Sequence, residues 1–406
     1  MSSVTVLTLG CKLNQAEGEE VARSLAERGY RVSAPSLLAR AYVVQTCAVT
    51  HAAEAKARRL LRHLRRQPHR PLLVATGCYV QRAPEELEGL ADVLISQEDR
   101  ARLSHLLAER LAPLPGMAGW WGRTRALVKV QEGCNLGCSY CIVPRVRGRE
   151  KSRDPEAILQ DAHAREREGY KEIVLTGSRI GAYRWNGTNL AALLRRILGE
   201  TGIARVRLSS LQPREPTPEL LGLLAHPRLC PHVHLPLQSG SPQVLDAMGR
   251  AYSPGDFLET VADLHQRGIA VTTDIMVGLP GEQERDFQAS LEIVRQAGLA
   301  RVHVFPYSPR PGTRAATMPP VPQGVKRQRA RRMLILADEG SRAFQARFLG
   351  QTLPVLWERK VGKGLWNGLT GNYLRVFAPG PADLGGRLLP ARLVALHPQG
   401  LEGELI

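Results

Sequence analysis

Residues 130–149 read VQEGCNLGCSYCIVPRVRGR and place Cys134, Cys138 and Cys141 in the spacing C-x3-C-x2-C. Three thiolates this close can ligate three irons of a cubane iron–sulfur cluster. A structural zinc ion takes four protein ligands, and neither a fourth Cys nor any His lies in this stretch. The fourth iron is then open to a substrate or cofactor. Three more cysteines are scattered but similarly placed: Cys11 in TLGCKLNQ, Cys47 in VVQTCAVT and Cys78 in VATGCYVQ, each after a β-branched, apolar run. In a parallel sheet the carboxyl ends of the strands share one edge, and ligands bind there. Cys11, Cys47 and Cys78 can therefore converge, each beside a Gly or Thr small enough to admit a bulky group. A second cluster is the expectation; three independent buried thiols are the plainer alternative. Cys230, in LCPHVHL, precedes a strand and reads as a core thiol. His232 and His234 alternate on that strand and read as packed, not metal-bound.

The elements that hold these cysteines follow from the pattern. The chain has 406 residues, 43% of them hydrophobic, which suits two or three domains with ample core. No run of 18 or more apolar residues occurs, so no membrane contact is expected. The start, MSSVTVLTLGCKLNQ, lacks the basic and apolar regions of a signal peptide. A cytoplasmic location follows, where seven cysteines stay reduced and favour metal ligation over disulfides. Net charge is +17, with 55 Lys+Arg against 38 Asp+Glu, which points to a polyanionic partner, most simply nucleic acid.

Residues 1–115 alternate strands at 3–9, 41–45 and 71–76 with helices at 14–28, 52–66 and 99–110, an open parallel α/β sheet. The helix at 52–66 carries Lys56, Arg58, Arg59, Arg62, Arg65 and Arg66, either a solvated face or a phosphate-binding one. Residues 111–121 are Pro- and Gly-rich and read as a linker. From 123 to 345 six strands, at 125–131, 172–176, 205–209, 232–235, 270–277 and 301–306, alternate with helices. That fits a partial (β/α)6 barrel, whose site lies at the carboxyl ends of its strands. The Cys134 loop follows the first strand and so opens on that mouth. Thr176, Gly177, Ser209, Gln238 and Asp274 fall at the same rim and suit a polar cofactor, as do Tyr307 and Arg310. A long helix over 319–348 carries Lys326, Arg327, Arg329, Arg331 and Arg332. Residues 350–406, with short apolar runs and Gly-rich turns, read as a small β-barrel of about five strands. Such barrels bind RNA, and Trp357, Trp366, Tyr373 and Phe377 are candidates for stacking on bases.

C-x3-C-x2-C with Tyr140 before its last Cys resembles the radical S-adenosylmethionine (SAM) superfamily. With TLGCKLNQAE, QTCAVT and TGCYVQ upstream, the whole chain resembles the methylthiotransferases: an N-terminal cluster domain, a radical SAM barrel and a C-terminal TRAM barrel. GCKLNQ, LSSLQP, LPLQSGS and FPYSPRPGTRAA are most similar to the subgroup acting on threonylcarbamoyladenosine in tRNA. The sequence departs from the family at Gln45, where Asn is usual, and in a short, Lys-poor TRAM segment. The resemblance implies two 4Fe–4S clusters and two SAM per turnover, with Cys134, Cys138 and Cys141 ligating the catalytic cluster. That cluster would cleave SAM to a 5′-deoxyadenosyl radical, which takes hydrogen from adenine C2. Cys11, Cys47 and Cys78 would hold the cluster supplying sulfur. Tyr140, Thr176, Gly177, Ser209, Gln238 and Asp274 become candidate SAM contacts. The implied partners are the tRNA anticodon loop, at position 37, and an electron donor such as flavodoxin or ferredoxin. A monomer is expected, with no DNA partner. The alternatives are methylthiolation of isopentenyladenosine or of a ribosomal protein, and, from another class, an RNA-binding redox sensor.

Overall fold

The computed structural model describes residues 3–33, 38–111, 123–362 and 364–406. The expected linker therefore falls almost wholly outside the described residues. Near the amino terminus, Val4 and Val6 on Ser3–Thr8 start a five-stranded, all-parallel sheet. Its order is Arg31–Ser33, Ser3–Thr8, Ala41–Thr46, Leu72–Gly77 and Val93–Ile95. The two outer strands were not expected; at three residues each they are too short to show a period. Helix Lys12–Glu27 follows the first strand, and helix His51–Arg65 follows the third, capped by the Thr50 side chain accepting from the Ala53 N–H. Ala57, Leu61 and Leu64 are buried under the sheet, while Lys56, Arg59, Arg62 and Arg66 stay exposed. The expected helix at 99–110 is a 3-10 turn, Glu98–Arg102, followed by helix Leu103–Ala108.

Six strands of the next domain are parallel and in chain order, with two short antiparallel pairs, Gln131–Glu132 with Lys151–Ser152 and Arg184–Trp185 with Thr188–Asn189, set between them. Ala126–Lys129, Glu172–Thr176 and Arg205–Leu208 form one sheet, and His232–His234, Ala270–Val277 and Arg301–Pro306 another. An isolated bridge, Ser210 to His234, joins the two into one curved row. Among the described residues the first and last strands of this row are not paired, so the barrel is partial, as expected. Apolar side chains from strands and surrounding helices, such as Val128, Ile173, Leu194 and Phe257, fill a continuous core. The segment read as helical through 242–266 is two helices, Pro242–Met248 and Pro254–Gln266. Gly249 ends the first in a left-handed conformation, φ 73°, and a Ser253–Asp256 capping box starts the second.

Helix Gln323–Ala346 leads to a closed five-stranded barrel of Thr352–Lys360, Leu365–Thr370, Arg375–Pro379, Gly400–Leu405 and Leu388–His397. Two expectations about this region are corrected. Trp357, Trp366 and Phe377 are core residues, 0%, 6% and 4% exposed, so they are unavailable for base stacking. Truncating a core aromatic of this kind costs about 3–5 kcal/mol. On the long helix, Lys326 and Arg329 are also buried, and Arg329 is paired with Glu282 at 2.7 Å. Arg332 meets Glu284 at 2.7 Å. Only Arg327 and Arg331 of that basic stretch stand exposed.

Candidate iron–sulfur and radical site

The three scattered cysteines come from adjacent strands. Cys11 is the N-cap of helix Lys12–Glu27, Cys47 directly follows Ala41–Thr46, and Cys78 opens a short helix after Leu72–Gly77. One side chain ties them together. The Oδ1 of buried Asn14 lies 3.9 Å from the Cys11 Sγ and 3.8 Å from the Cys78 Sγ. Its amide donates to the carbonyls of Leu9, at 3.0 Å, and Thr46, at 2.9 Å, pinning two strand ends. Gly10, at φ 112°, is required here: a Cβ would lie 2.8 Å from the Cys47 Cβ and 3.0 Å from its Sγ. Burial, reinforced by Cys11 and Cys78, pushes the Cys47 thiol up to about 12; burial also raises Cys78, opposed by Arg147. Thiols this reluctant to ionise alone are suited to a cationic metal centre, which supplies the opposing charge.

Cys134, Cys138 and Cys141 lie together on the loop after the first barrel strand and are all half-buried. The loop is clamped at several points. The Cys134 N–H donates to the Gly148 carbonyl at 3.1 Å, and the Ser139 N–H to Met248 at 2.9 Å. Gly133, at φ 73°, permits the tight return, since a Cβ would sit 1.9 Å from the Arg149 carbonyl oxygen. Burial raises the thiols of Cys134 and Cys141, the latter to about 11. The Leu136 N–H points at the Cys134 Sγ, 3.4 Å away, the kind of donor that tunes cluster sulfurs. Both sets fit a three-thiolate cluster by donor chemistry and spacing.

Two arginines lock the loop and barrel to the first sheet. Arg147, six residues past Cys141, donates to Glu17 at 2.7 and 3.0 Å and to the Asn14 Oδ1. Burial pushes Glu17 up, but the hydrogen bond and charge of Arg147, with Arg100 and Lys129, bring it down to about 2. Gln45, the unusual residue of QTC, joins this network by donating to Glu17 at 2.9 Å. Arg310, at the end of the sixth barrel strand, is 1% exposed. It meets Glu54 at 2.9 Å and donates to the Ala48 carbonyl, one residue past Cys47, at 3.2 Å.

A cavity of roughly 350 Å³ opens between the sheet and the barrel. Cys11 and Lys12 line it from one side, and Thr176, Gly177, Ser209 and Asp274 from the other. Four of the six expected cofactor contacts thus share one chamber with a cysteine of the scattered set. Gly177 packs so tightly that a Cβ would lie 2.7 Å from the Gln131 carbonyl oxygen. The other two lie outside the lining. Tyr140 has its hydroxyl held by Arg250 beside the loop, and burial raises its pKa. Gln238, at φ 66°, pairs its backbone with Asp274 and Met276.

The chamber also holds side chains that sequence reasoning did not bring together. His234 Nε2 lies 3.2 Å from Asp274, and with His303 their ligand atoms fall within 4.8 Å of one another. The Thr272 hydroxyl bonds both His234, at 2.9 Å, and His232, at 3.0 Å. Burial lowers His303 to about 4, so that ring is neutral at physiological pH. Tyr373 reaches in from the C-terminal barrel and stacks on His232 at 4.5 Å. Of the four aromatics expected to meet RNA bases, it alone is not in the core. Burial raises its phenol, but Lys12, Arg125 and Arg207 outweigh this and lower it. The docking is polar: Arg207, on the third strand, is fully buried, pairs with Glu172 at 2.7 Å and donates to the Thr370 and Gly371 carbonyls. Asn14 and Lys12 stand within GCKLNQ and Arg147 within PRVRGR, motifs visible in the sequence; their partners were not.

A partial parallel barrel with a three-cysteine loop at its mouth defines a radical SAM protein. A model of the radical SAM superfamily matches residues 128–294, and one of uncharacterized protein family UPF0004 matches residues 3–96. The chain belongs to the methylthiotransferase family of radical SAM enzymes. It is 32% identical to the threonylcarbamoyladenosine tRNA methylthiotransferase MtaB of Bacillus subtilis, over 100% of this chain and 97% of that one. Identity to the MtaB of Thermotoga maritima is 36%, over 92% and 91%. Identity to the tRNA-2-methylthio-N(6)-dimethylallyladenosine synthase of Moorella thermoacetica is 34%, over 99% and 98%. Among solved structures, the radical SAM methyltransferase TsrM of Kitasatospora setae shares the fold, with TM-score 0.57 at 15% identity, over 78% of this chain and 77% of that chain. No helix among the described residues is long and apolar enough to cross a membrane.

Proposed function

We propose that this protein inserts a methylthio group at C2 of N6-threonylcarbamoyladenosine in the anticodon loop of tRNA. The observation that carries the reading is the shared chamber: Cys11, of the scattered set, faces the rim residues Thr176, Gly177, Ser209 and Asp274 across one cavity. The relatives divide between threonylcarbamoyl- and dimethylallyl-adenosine enzymes at 32–36% identity, so identity alone does not choose the base. The GCKLNQ form of the first motif favours the threonylcarbamoyl substrate.

In this reading Cys134, Cys138 and Cys141 hold one 4Fe–4S cluster and Cys11, Cys47 and Cys78 a second. Bound there with SAM, these groups supply radical hydrogen abstraction, sulfur and methyl. The protein places and encloses them. Thr176, Gly177 and Ser209 offer amides and hydroxyls to the polar cofactor, and the absent Cβ of Gly177 makes room for Gln131 against that rim. Arg147 and Arg310 fix the spacing between the two sets, because orientation governs any transfer between bound groups. A small flavin or iron–sulfur carrier serves as reductant, and the protein acts as a cytoplasmic monomer. The test is mass spectrometry of nucleosides after incubating reconstituted protein, SAM and reductant with tRNA bearing threonylcarbamoyladenosine. The methylthio derivative is expected. Its absence, with product on isopentenyladenosine instead, would overturn the substrate assignment.

A further inference from the structure

The charges around the chamber are unevenly compensated. Arg125 meets Glu358 at 3.1 Å; Arg207 meets Glu172 at 2.7 Å and Arg205 meets it at 3.7 Å. The carboxylate of Asp274 lies 3.2 Å from the His234 imidazole. Lys12 differs. Among the described residues that line the cavity it is the only lysine or arginine, and no carboxylate among them partners it. Its neighbour is the Tyr373 ring, 5.7 Å from Nζ. Burial and the nearby Arg125 and Arg207 weigh against the Lys12 ammonium, and Glu172, whose charge favours it, is already paired with Arg207 and Arg205, so the cation is poorly compensated by the protein alone. It becomes favourable when a ligand brings the anion.

The substrate reading supplies such an anion. The threonylcarbamoyl branch on N6 ends in a free carboxylate; an isopentenyl branch has no charge at all. Both C2 and the branch belong to the pairing edge of the adenine. Lys12 is the neighbour in sequence of Cys11, which lines the same cavity. A cation there can hold the branch while the base presents that edge toward Cys11. We propose that Lys12 is the specificity residue of this enzyme, pairing with the carboxylate of the N6 amino-acid branch and so selecting an acidic adenosine over an apolar one. Tyr373 is its positioning residue: seated on His232, its ring limits where the ammonium can lie. The C-terminal barrel thereby contributes to base choice. A buried group left without its ionic partner discriminates far more strongly than a missing methylene does.

This inference rests on the threonylcarbamoyl reading, and the experiment separates the two. Anticodon stem-loop RNAs are prepared with threonylcarbamoyladenosine, with the methyl ester of its carboxylate, or with isopentenyladenosine. Binding to reconstituted protein is measured for each, and product is read by mass spectrometry. Wild type should bind the acid at least about tenfold more tightly than the ester, which cannot form the ion pair. K12Q should lose that preference by weakening the acid alone, and K12R should retain most of it. Equal binding of acid and ester by wild type, a comparison needing no variant, would overturn the role of Lys12. So would a K12Q protein that still prefers the acid. Failure of the substrate reading looks different: wild type would give no product on the acid RNA and methylthiolate the isopentenyl RNA.

Discussion

The two cysteine sets reach similar donor groups by opposite routes. Cys134, Cys138 and Cys141 occupy eight consecutive positions on a rim loop and are half-buried. Cys11, Cys47 and Cys78 come from three strand ends, and Cys47 and Cys78 are 1% and 5% exposed. The first set needs only its own loop and two backbone clamps. The second exists only once three parallel strands have registered and Asn14 has tied their ends. In the proposed reading the rim set admits a cofactor each turnover, whereas in the sheet set Cys47 and Cys78 are enclosed and only Cys11 is exposed, on the chamber. The rim motif is local in sequence, while the second set is a property of the whole sheet. Arg147 is where the two meet.

The largest expected effect comes from removing the rim set. Alanine at Cys134, Cys138 and Cys141 should abolish SAM cleavage and product together, and iron should fall from about eight per chain to about half. Equal iron in variant and wild type would erase the distinction between the sets.

Next is the joint between them. Arg147→Ala removes one of two guanidinium partners of the buried Glu17 carboxylate and leaves Arg100, 2.7 Å away. The loss therefore stays below the roughly 3–5 kcal/mol of a buried pair broken outright and is read as a lowered midpoint in urea unfolding. An R147A protein as stable as wild type would mean that the two regions are held elsewhere.

The acid limb of stability reads the same joint. Glu17 has a folded pKa of about 2 against an ordinary 4.5, so the ionised form favours the fold. Its contribution, about 3 kcal/mol, is present above pH 4.5 and is lost as pH falls from there toward 2. Glu17→Gln should flatten that part of the stability–pH curve; an unchanged slope would deny Glu17 its charge.

The smallest effect concerns RNA. The exposed cations Arg359, Lys360, Arg387 and Arg392 lie on the C-terminal barrel, and Lys56, Arg59, Arg62 and Arg66 on the helix of the first sheet. Each cation–phosphate pair removed should lower the slope of log affinity against log salt by about one. Charge reversal on the barrel should reduce the slope for tRNA by more than reversal on the helix. The opposite ranking would move the RNA to the first sheet.

What the sequence disclosed follows the same division. The rim set was legible because spacing alone brings the thiols together. The sheet set was legible because each Cys follows a β-branched run, so topology could be inferred before geometry. Partners distant in sequence were not legible. Arg329 looked like a free cation until Glu282, 47 residues away, took it inward. Trp357 and Trp366 looked like RNA-stacking residues because a small barrel needs aromatic core as much as aromatic surface. Tyr373 reached the chamber through the docking of Arg205 and Arg207 on barrel carbonyls, which no local pattern announces.

The central claim is that the rim set makes the radical and the sheet set delivers the sulfur within one chamber. The most direct measurement follows 5′-deoxyadenosine and the methylthio nucleoside in one reaction of protein carrying alanine at Cys11, Cys47 and Cys78. Because Cys47 and Cys78 are in the core of the sheet, retained iron at the rim site is checked first. The account predicts that deoxyadenosine still forms and that no methylthio nucleoside appears. Full methylthiolation by this variant would contradict it.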